Sequence, residues 1–144
     1  MSMTKKTIML VDDNLTNLQI GSSILMEHYN VITMNSGQRL LKTLERKIPD
    51  LILLDIEMPE MNGYETIRHL KENDKFSQIP VIFLTAKNDD GSEHLGLSLG
   101  AVDYVTKPFS VPLLLKRLEV HLLVEDQKKI IMEQKQELDR LMAN

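Results

Sequence analysis

The chain has 144 residues, 42% of them hydrophobic, a net charge of -4 and no cysteine. This length supports one cooperative core, the acidic balance with scattered basic residues argues against nucleic-acid contact, and the lack of cysteine excludes disulfides and thiolate chemistry. Because no apolar run approaches the roughly 18 residues of a membrane span, we expect a cytoplasmic protein that contacts neither nucleic acid nor membrane.

Five short apolar runs rich in branched residues each have the length of a buried strand. They occupy residues 7–12, 30–34, 50–55, 79–84 and 101–105. The segments between them place leucine and isoleucine at helical spacing, so strands and helices alternate along the chain. This alternation predicts a doubly wound α/β fold, in which a five-stranded parallel sheet is covered by helices on both faces.

The last predicted helix begins near Ser110, a candidate N-cap with Pro112 in the first turn, and meets no helix breaker afterwards. About three turns would cover the sheet. Beyond them, spacings of four and three alternate in a heptad seam with these members: Val120, Val124, Gln127, Ile131, Gln134, Leu138 and Leu141. The seam predicts a modest coiled coil and a homodimer formed through this helix. A solvated helical linker is the alternative interpretation.

Polar side chains stand at the ends of four of the predicted strands. Asp12 and Asp13 end the first strand, Asp55 the third and Thr85 the fourth, and Lys107 follows the fifth. If the strand order is 2-1-3-4-5, as in flavodoxin-like folds, these four strands are neighbours and their carboxyl ends form the ligand-binding edge. Singly, each residue has an ordinary explanation, such as a helix cap or a surface lysine. Together they predict one site.

Carboxylates brought together repel one another unless one of them has a raised pKa or a hard cation lies between them. Oxygen ligands with room left for phosphate oxygens select Mg2+. Lys107 offers a positive charge and Thr85 a hydroxyl group to a phosphoryl group, and Asp55 is the best-placed nucleophile to accept that group as an acyl phosphate. The sequence carries neither G-x-x-x-x-G-K-[ST] nor G-x-G-x-x-G, so a nucleotide enzyme is disfavoured.

Four segments, MLVDDN, LILLDIEMPEMNGYE, IPVIFLTAK and GAVDYVTKPF, together resemble the response-regulator receiver domain of two-component signalling. The likeness covers about residues 7–120 and implies a receiver domain at 1–120. The helical extension at 121–144 is then a candidate coiled-coil linker to an output domain outside this sequence. The resemblance implies a phosphorylation switch that does not turn over an external substrate, and a sensor histidine kinase or phosphotransfer protein as its partner.

The resemblance also implies roles for single residues around the metal. Asp55 corresponds to the phosphoacceptor, and Asp12 and Asp13 correspond to the acidic pair that holds Mg2+. The backbone carbonyl of Glu57 corresponds to a further metal ligand. The alternative function is a magnesium-dependent aspartyl phosphotransferase or phosphatase. Such an enzyme normally has a second aspartate two residues after the nucleophile, where this chain has Glu57.

Thr85 and Lys107 correspond to the residues that contact the phosphoryl group. Thr85 and Tyr104 correspond to the switch pair, whose movement would remodel the fourth helix, the fifth strand and the fifth helix. The resemblance further implies a cis peptide bond between Lys107 and Pro108.

Two other charged residues suggest a control on the phosphoryl lifetime. Glu57 lies two residues after Asp55, and Lys87 lies two residues after Thr85, so both side chains are expected at the mouth of the site. We hypothesise that they pair and gate the water that hydrolyses the phosphoryl group. The alternative is two unrelated exposed charges, since exposed pairs contribute only about 0–1 kcal/mol.

Overall fold

The computed structural model describes residues 5–86, 95–108 and 110–143. Its strands are β1 (Thr7–Val11), β2 (Asn30–Met34), β3 (Leu51–Asp55), β4 (Val81–Thr85) and β5 (Asp103–Thr106). Its helices are α1 (Leu15–Leu25), α2 (Gly37–Leu44), α3 (Gly63–Glu72), α4 (residues 95–98) and α5 (Val111–Met142). Lys87, one of the two residues proposed to gate water, lies outside the described residues.

The five strands form one parallel sheet in the order β2-β1-β3-β4-β5, which confirms the predicted fold class and strand order. Every residue of β1, β3 and β4 is buried, whereas β2 at the edge is partly exposed. This burial explains why the three inner strands are continuous apolar runs in the sequence.

The side chains of the inner strands supply two hydrophobic cores, because successive residues in a strand point to opposite faces of the sheet. Met9 and Ile52 belong to the core that includes α2 and α3. Ile8 and Leu53 belong to the core that includes α1 and the first part of α5, where Leu118 is fully buried. The helices therefore cover both faces of the sheet.

Side-chain caps start three of the helices close to the preceding strand ends. Asn14 accepts a hydrogen bond from the amide of Asn17 at the start of α1, and Ser36 caps α2 in the same way. At α3, Asn62 and Glu65 form a reciprocal capping box. These caps satisfy amides that have no partner within the helix and keep short the loops at the carboxyl edge of the sheet.

Two strands start two residues later than predicted, and the other boundaries agree within one residue. The fourth strand was predicted over residues 79–84 but begins at Val81, because the amide of Ile79 bonds to the carbonyl of Phe76 in the preceding turn and Pro80 has no amide hydrogen to donate. The fifth was predicted over residues 101–105 but begins at Asp103, since the amide of Ala101 bonds back to Gly96 at the end of α4.

The last helix is as long as the sequence predicts. At 32 residues, α5 extends for about 48 Å. Leu114, Leu118 and Leu122 are buried against the sheet, and the apolar residues beyond Leu122 are exposed. Ser110 occupies the N-cap position, but its side chain makes no capping hydrogen bond. Within the described ranges, no helix combines the length and apolarity required to span a membrane.

The start of α3 generates a stability prediction. A Cβ atom on Gly63 would lie 2.5 Å from the carbonyl oxygen of Asp55 and 2.8 Å from the Cα atom of Ile56. Because backbone atoms of a buried strand end cannot move cheaply, Gly63→Ala should lower the free energy of unfolding by about 1–3 kcal/mol, measured by urea denaturation. Ser23→Ala on the exposed side of α1 should change it by less than about 0.5 kcal/mol. Equal stability of the two variants would contradict the close approach.

Candidate functional site

The register of the sheet places two aspartates side by side. Val11 pairs with Leu54, so Asp12 and Asp55 follow at neighbouring strand ends. The amide of Asp12 donates to the carbonyl of Met34 at 3.1 Å, which holds the end of β1 against β2. Both aspartates are deeply buried: Asp12 is 1% exposed and Asp55 is 4% exposed. Two carboxylates buried at neighbouring strand ends require a compensating positive charge.

Lys107 supplies that compensating charge. Its Nζ atom lies 2.9 Å from Oδ2 of Asp12 and 3.1 Å from Oδ1 of Asp55. Its amide donates to the carbonyl of Thr85 at 2.7 Å, so the backbone of β4 fixes the point from which the side chain extends. The peptide bond between Lys107 and Pro108 is cis, as the resemblance implied.

The carboxyl group of Asp55 is the most perturbed of these groups. Burial and the negative charge of Asp12 raise the pKa of Asp55 to about 7, although Lys107 opposes the shift. Burial acts to lower the pKa of Lys107, but its hydrogen bond to Asp12 and the charges of both aspartates raise that pKa above its ordinary value. One ammonium group therefore does not fully compensate the two buried carboxylates.

Asp13 completes a group of three carboxylates that fits a divalent cation. One carboxylate oxygen from each of Asp12, Asp13 and Asp55 lies within 4.8 Å of the other two. Asp13 is exposed and gives the cluster access to solvent, while the amide of Asn14 donates to Oδ1 of Asp12 at 2.9 Å and orients it. An all-oxygen set open on one side suits Mg2+, and its charge would relieve the repulsion that raises the pKa of Asp55.

Glu57 has a different place in the structure. Its side chain is exposed and lies with Asp13 and Met58 along a cavity beside the cluster, and the three-carboxylate group does not include it. The resemblance implied a metal-binding role only for its backbone carbonyl, and that role stays a prediction.

The predicted switch residues lie on the neighbouring strands β4 and β5. Thr85, at the end of β4, is 6% exposed, and Tyr104 of β5 is half-buried against the core that contains α2 and α3. Both line one small cleft, together with Phe83 and Gly96. The cleft lies between the end of β4, α4 and β5.

A polar network joins β5 to α5, and the sequence reasoning missed it. Asp103 accepts a hydrogen bond from Arg117, and its other carboxylate oxygen lies 2.9 Å from Nε2 of His121. Arg117 also donates to the carbonyl of Tyr104 at 3.0 Å, and its guanidinium group lies 5.7 Å from the centre of the Tyr104 ring. The signal available in the sequence was the i, i+4 spacing of Arg117 and His121, which places both on one face of a helix.

The pattern of a response regulator receiver domain matches residues 8–119, so this chain belongs to that family. Receiver domains are signalling switches of two-component response regulators, and they interact with histidine kinases or phosphotransfer proteins. The acidic group found here is consistent with acceptance of a phosphoryl group at an Mg2+ site of the kind that the family uses.

Individual relatives agree with this assignment. A probable cyclic di-GMP phosphodiesterase of Vibrio cholerae is 45% identical over 133 residues, which are 92% of this chain and 30% of that protein. A receiver domain of a Pseudomonas aeruginosa sensor histidine kinase, with a magnesium ion coordinated in its active-site cleft, is 29% identical, with a TM-score of 0.76 over 83% of this chain and 98% of that one. The BeF3-activated DrrB receiver domain is 34% identical, with a TM-score of 0.74 over 83% of this chain and 98% of that one. The chain spans less than half the length of the first curated relatives.

The electrostatics of Asp55 generate a prediction for stability against pH. The pKa of Asp55 rises from 3.8 to about 7 on folding, so the folded chain binds more protons in this window and loses stability as the pH increases through it. Asp55→Asn removes that loss. In metal-free buffer the variant should therefore melt at a higher temperature than the native chain near pH 8, by a margin that shrinks towards about pH 4.

Calorimetry across this pH range checks the prediction. Asp74→Asn, at an exposed aspartate far from the cluster, is the matched control and should follow the native chain. Adding Mg2+ should raise the melting temperature of the native chain more than that of Asp55→Asn, because binding to the folded state alone stabilises it. A difference in melting temperature between Asp55→Asn and the native chain that is the same at all pH values would show that folding does not raise the pKa of Asp55.

Proposed function

We propose that this chain is a phosphorylation switch that accepts a phosphoryl group on Asp55 from the phosphohistidine of a sensor histidine kinase or a phosphotransfer protein. Asp12, Asp13 and Asp55, with the backbone carbonyl of Glu57, would hold Mg2+. The observation that carries the proposal is the position of the Lys107 ammonium group, 2.9 Å from Asp12 and 3.1 Å from Asp55. A cation held there is placed to contact a phosphoryl oxygen once Asp55 carries one.

The reaction is an in-line transfer. An oxygen of the Asp55 carboxylate attacks phosphorus, the bond between phosphorus and the histidine nitrogen breaks, and its electron pair stays on the imidazole ring of the donor. Bound Mg2+ supplies charge neutralisation for the oxygens of the transferred group. Lys107 then exchanges a carboxylate contact for a phosphoryl oxygen, and the hydroxyl group of Thr85 donates to another.

The cleft between Thr85 and Tyr104 supports a route from the phosphoryl group to the surface. When Thr85 moves towards the phosphoryl group, the Tyr104 ring packs inward, and the Arg117 contacts with its ring and carbonyl carry the change to α5. Coupling between sites is typically about 1–3 kcal/mol, whereas a nearly complete switch needs roughly 5.5 kcal/mol. Homodimerisation through α5 would add to the coupling, since two chains respond together.

The output lies beyond residue 120. We propose that residues 121–144 connect the receiver domain to an output domain, in a protein organised like the probable cyclic di-GMP phosphodiesterase that matches 92% of this chain. The alternative, an aspartyl phosphatase or phosphotransferase, requires an acid beside the nucleophile. The exposed Glu57 side chain lies outside the carboxylate cluster, which favours the switch.

The first test of this function is the intact mass of the protein. After treatment with acetyl phosphate and Mg2+, the native chain should gain the mass of one phosphoryl group, because Asp55 is the nucleophile and the metal neutralises the incoming charge. Asp55→Asn should gain none, and the native chain in excess EDTA should gain little. Asp74→Asn, the exposed control, should behave like the native chain. Complete phosphorylation of Asp55→Asn would show that another residue is the phosphoacceptor.

The second test concerns the conformational response. Beryllofluoride with Mg2+, a phosphoryl mimic, should change the small-angle scattering profile of the native chain by altering self-association or the orientation of α5. Thr85→Ala should still be phosphorylated by acetyl phosphate but should lose most of this change, because the hydroxyl group that drives the switch is absent. Thr43→Ala on α2 is the control and should respond normally. Identical profiles of the native chain with and without the mimic would rule out this route.

A further inference from the structure

The exposed side of α5 carries an apolar stripe that the domain leaves uncovered. We call it the α5 seam and define it by seven residues: Val120, Val124, Gln127, Ile131, Gln134, Leu138 and Leu141. All seven are exposed, and Ile131 at 62% and Leu138 at 55% show how far the stripe is open to solvent. Five exposed apolar residues in one row, interrupted by the two glutamines, mark an interaction surface.

The α5 seam and the residues of α5 that contact the domain lie on different faces of the helix. On the domain side, Leu122 is buried, Asp126 forms an ion pair of 2.6 Å with Lys6, and Lys129 and Glu133 line a groove against the base of the sheet. At about 100° per residue, the seam lies roughly 140° around the helix from these residues. A second helix can therefore pack on the seam while both domains stay on the outside.

We propose that two copies of this chain pair through the α5 seam as a parallel, in-register, two-stranded coiled coil, in which Gln127 and Gln134 each face their own counterparts. This rests on the homodimer of the proposed function and adds its contact surface and its orientation. The spacing of four and three residues is the one that keeps a seam facing a partner helix over successive turns.

The two glutamines decide the orientation. In a parallel dimer, equivalent seam positions face each other, so each glutamine amide meets another amide that can both donate and accept a hydrogen bond. In an antiparallel pair that places Gln134 against Ile131 of the second copy, Gln127 lies against Leu138. Both amides would then face apolar side chains and lose their partners on burial. A buried polar pair of this kind fixes the register of a coiled coil.

The flanking charges favour the same arrangement. In the parallel pairing, Lys128 and Lys135 lie against Leu123 and Ile130 of the second copy, where their aliphatic stems cover apolar surface and their ammonium groups reach solvent. In the antiparallel pairing, Lys128 of one copy would approach Lys135 of the other along one flank, and like charges would repel. The parallel dimer avoids this repulsion.

A neighbouring column of residues on α5 is an alternative seam. A charged residue in that column, Glu137, argues against burying it in a dimer. That column replaces Val124, Ile131 and Leu138 by Leu123, Ile130 and Glu137. Glu137 is exposed and bonds to Arg140 on the surface of the helix. Placing Glu137 inside a dimer would bury a carboxylate and break this pair, whereas Leu138 in the proposed seam buries only apolar surface.

Disulfide cross-linking tests the orientation directly, because the native chain contains no cysteine. Three single variants of the full chain, Gln127→Cys, Gln134→Cys and Gln136→Cys, are oxidised under identical mild conditions at equal concentration. The first two place a thiol in the seam, and the third replaces the same residue type on the opposite side of the helix. Both seam variants should form covalent dimers at least about tenfold faster than Gln136→Cys, because pairing raises the effective concentration of the thiols.

Each other outcome overturns the proposal. In any one antiparallel alignment, only residues at the crossing point meet their own counterparts, so fast cross-linking of Gln127→Cys or Gln134→Cys alone indicates an antiparallel dimer. Rates equal to that of Gln136→Cys for both variants indicate a solvated single helix. Adding Ile131→Glu to Gln134→Cys should abolish fast cross-linking, whereas adding Met132→Glu, in the groove on the domain side of the helix, should not. The intact mass of the same samples after acetyl phosphate treatment reports whether Asp55 is phosphorylated. This measurement separates failure of the dimer from failure of the switch.

Discussion

The contact of one ammonium group with two buried carboxylates is the constraint around which the site is built. The register of β1 and β3 forces Asp12 and Asp55 together at the edge of the sheet, where both are nearly inaccessible to water. Desolvation of a charged group costs several kcal/mol, so this arrangement survives only because Lys107 reaches both carboxylates. Asp13 adds another carboxylate at the mouth, and the excess negative charge makes the site receptive to a divalent cation.

The same lysine lies at the point where the acidic cluster meets β4 and β5. Its amide is bonded to β4, and its chain position follows β5, which carries Tyr104 and Asp103. Asp103 is in turn held by Arg117 and His121 of α5. We propose that a change in the charge that Lys107 contacts reaches α5 through β5 and this hydrogen-bonded network.

The sequence predicts most of this site because its parts are local. Asp12 and Asp55 end apolar runs, and the alternation of strands and helices places those ends at one edge. The network of Asp103, Arg117 and His121 escaped prediction because it depends on how α5 docks against β5, which periodicity does not specify. The start of β4 was misplaced for a different, local reason. Ile79 is as apolar as a strand residue, but its amide is used by the preceding turn.

Because α5 is long, a small change in its orientation at the sheet would displace its far end by a larger distance. Arg117 donates a hydrogen bond to β5 near the start of the helix, and Leu141 lies 24 residues later, or about 36 Å along the axis. Because the buried leucines and the α5 seam occupy different sides of the helix, the slight turn of α5 that we propose on phosphorylation would move the seam as well. In a parallel pair, such a turn in both copies changes which side chains meet in the seam, and the two glutamine layers limit the registers that are stable. The polar layers would thereby convert a graded movement of α5 into a choice between discrete arrangements.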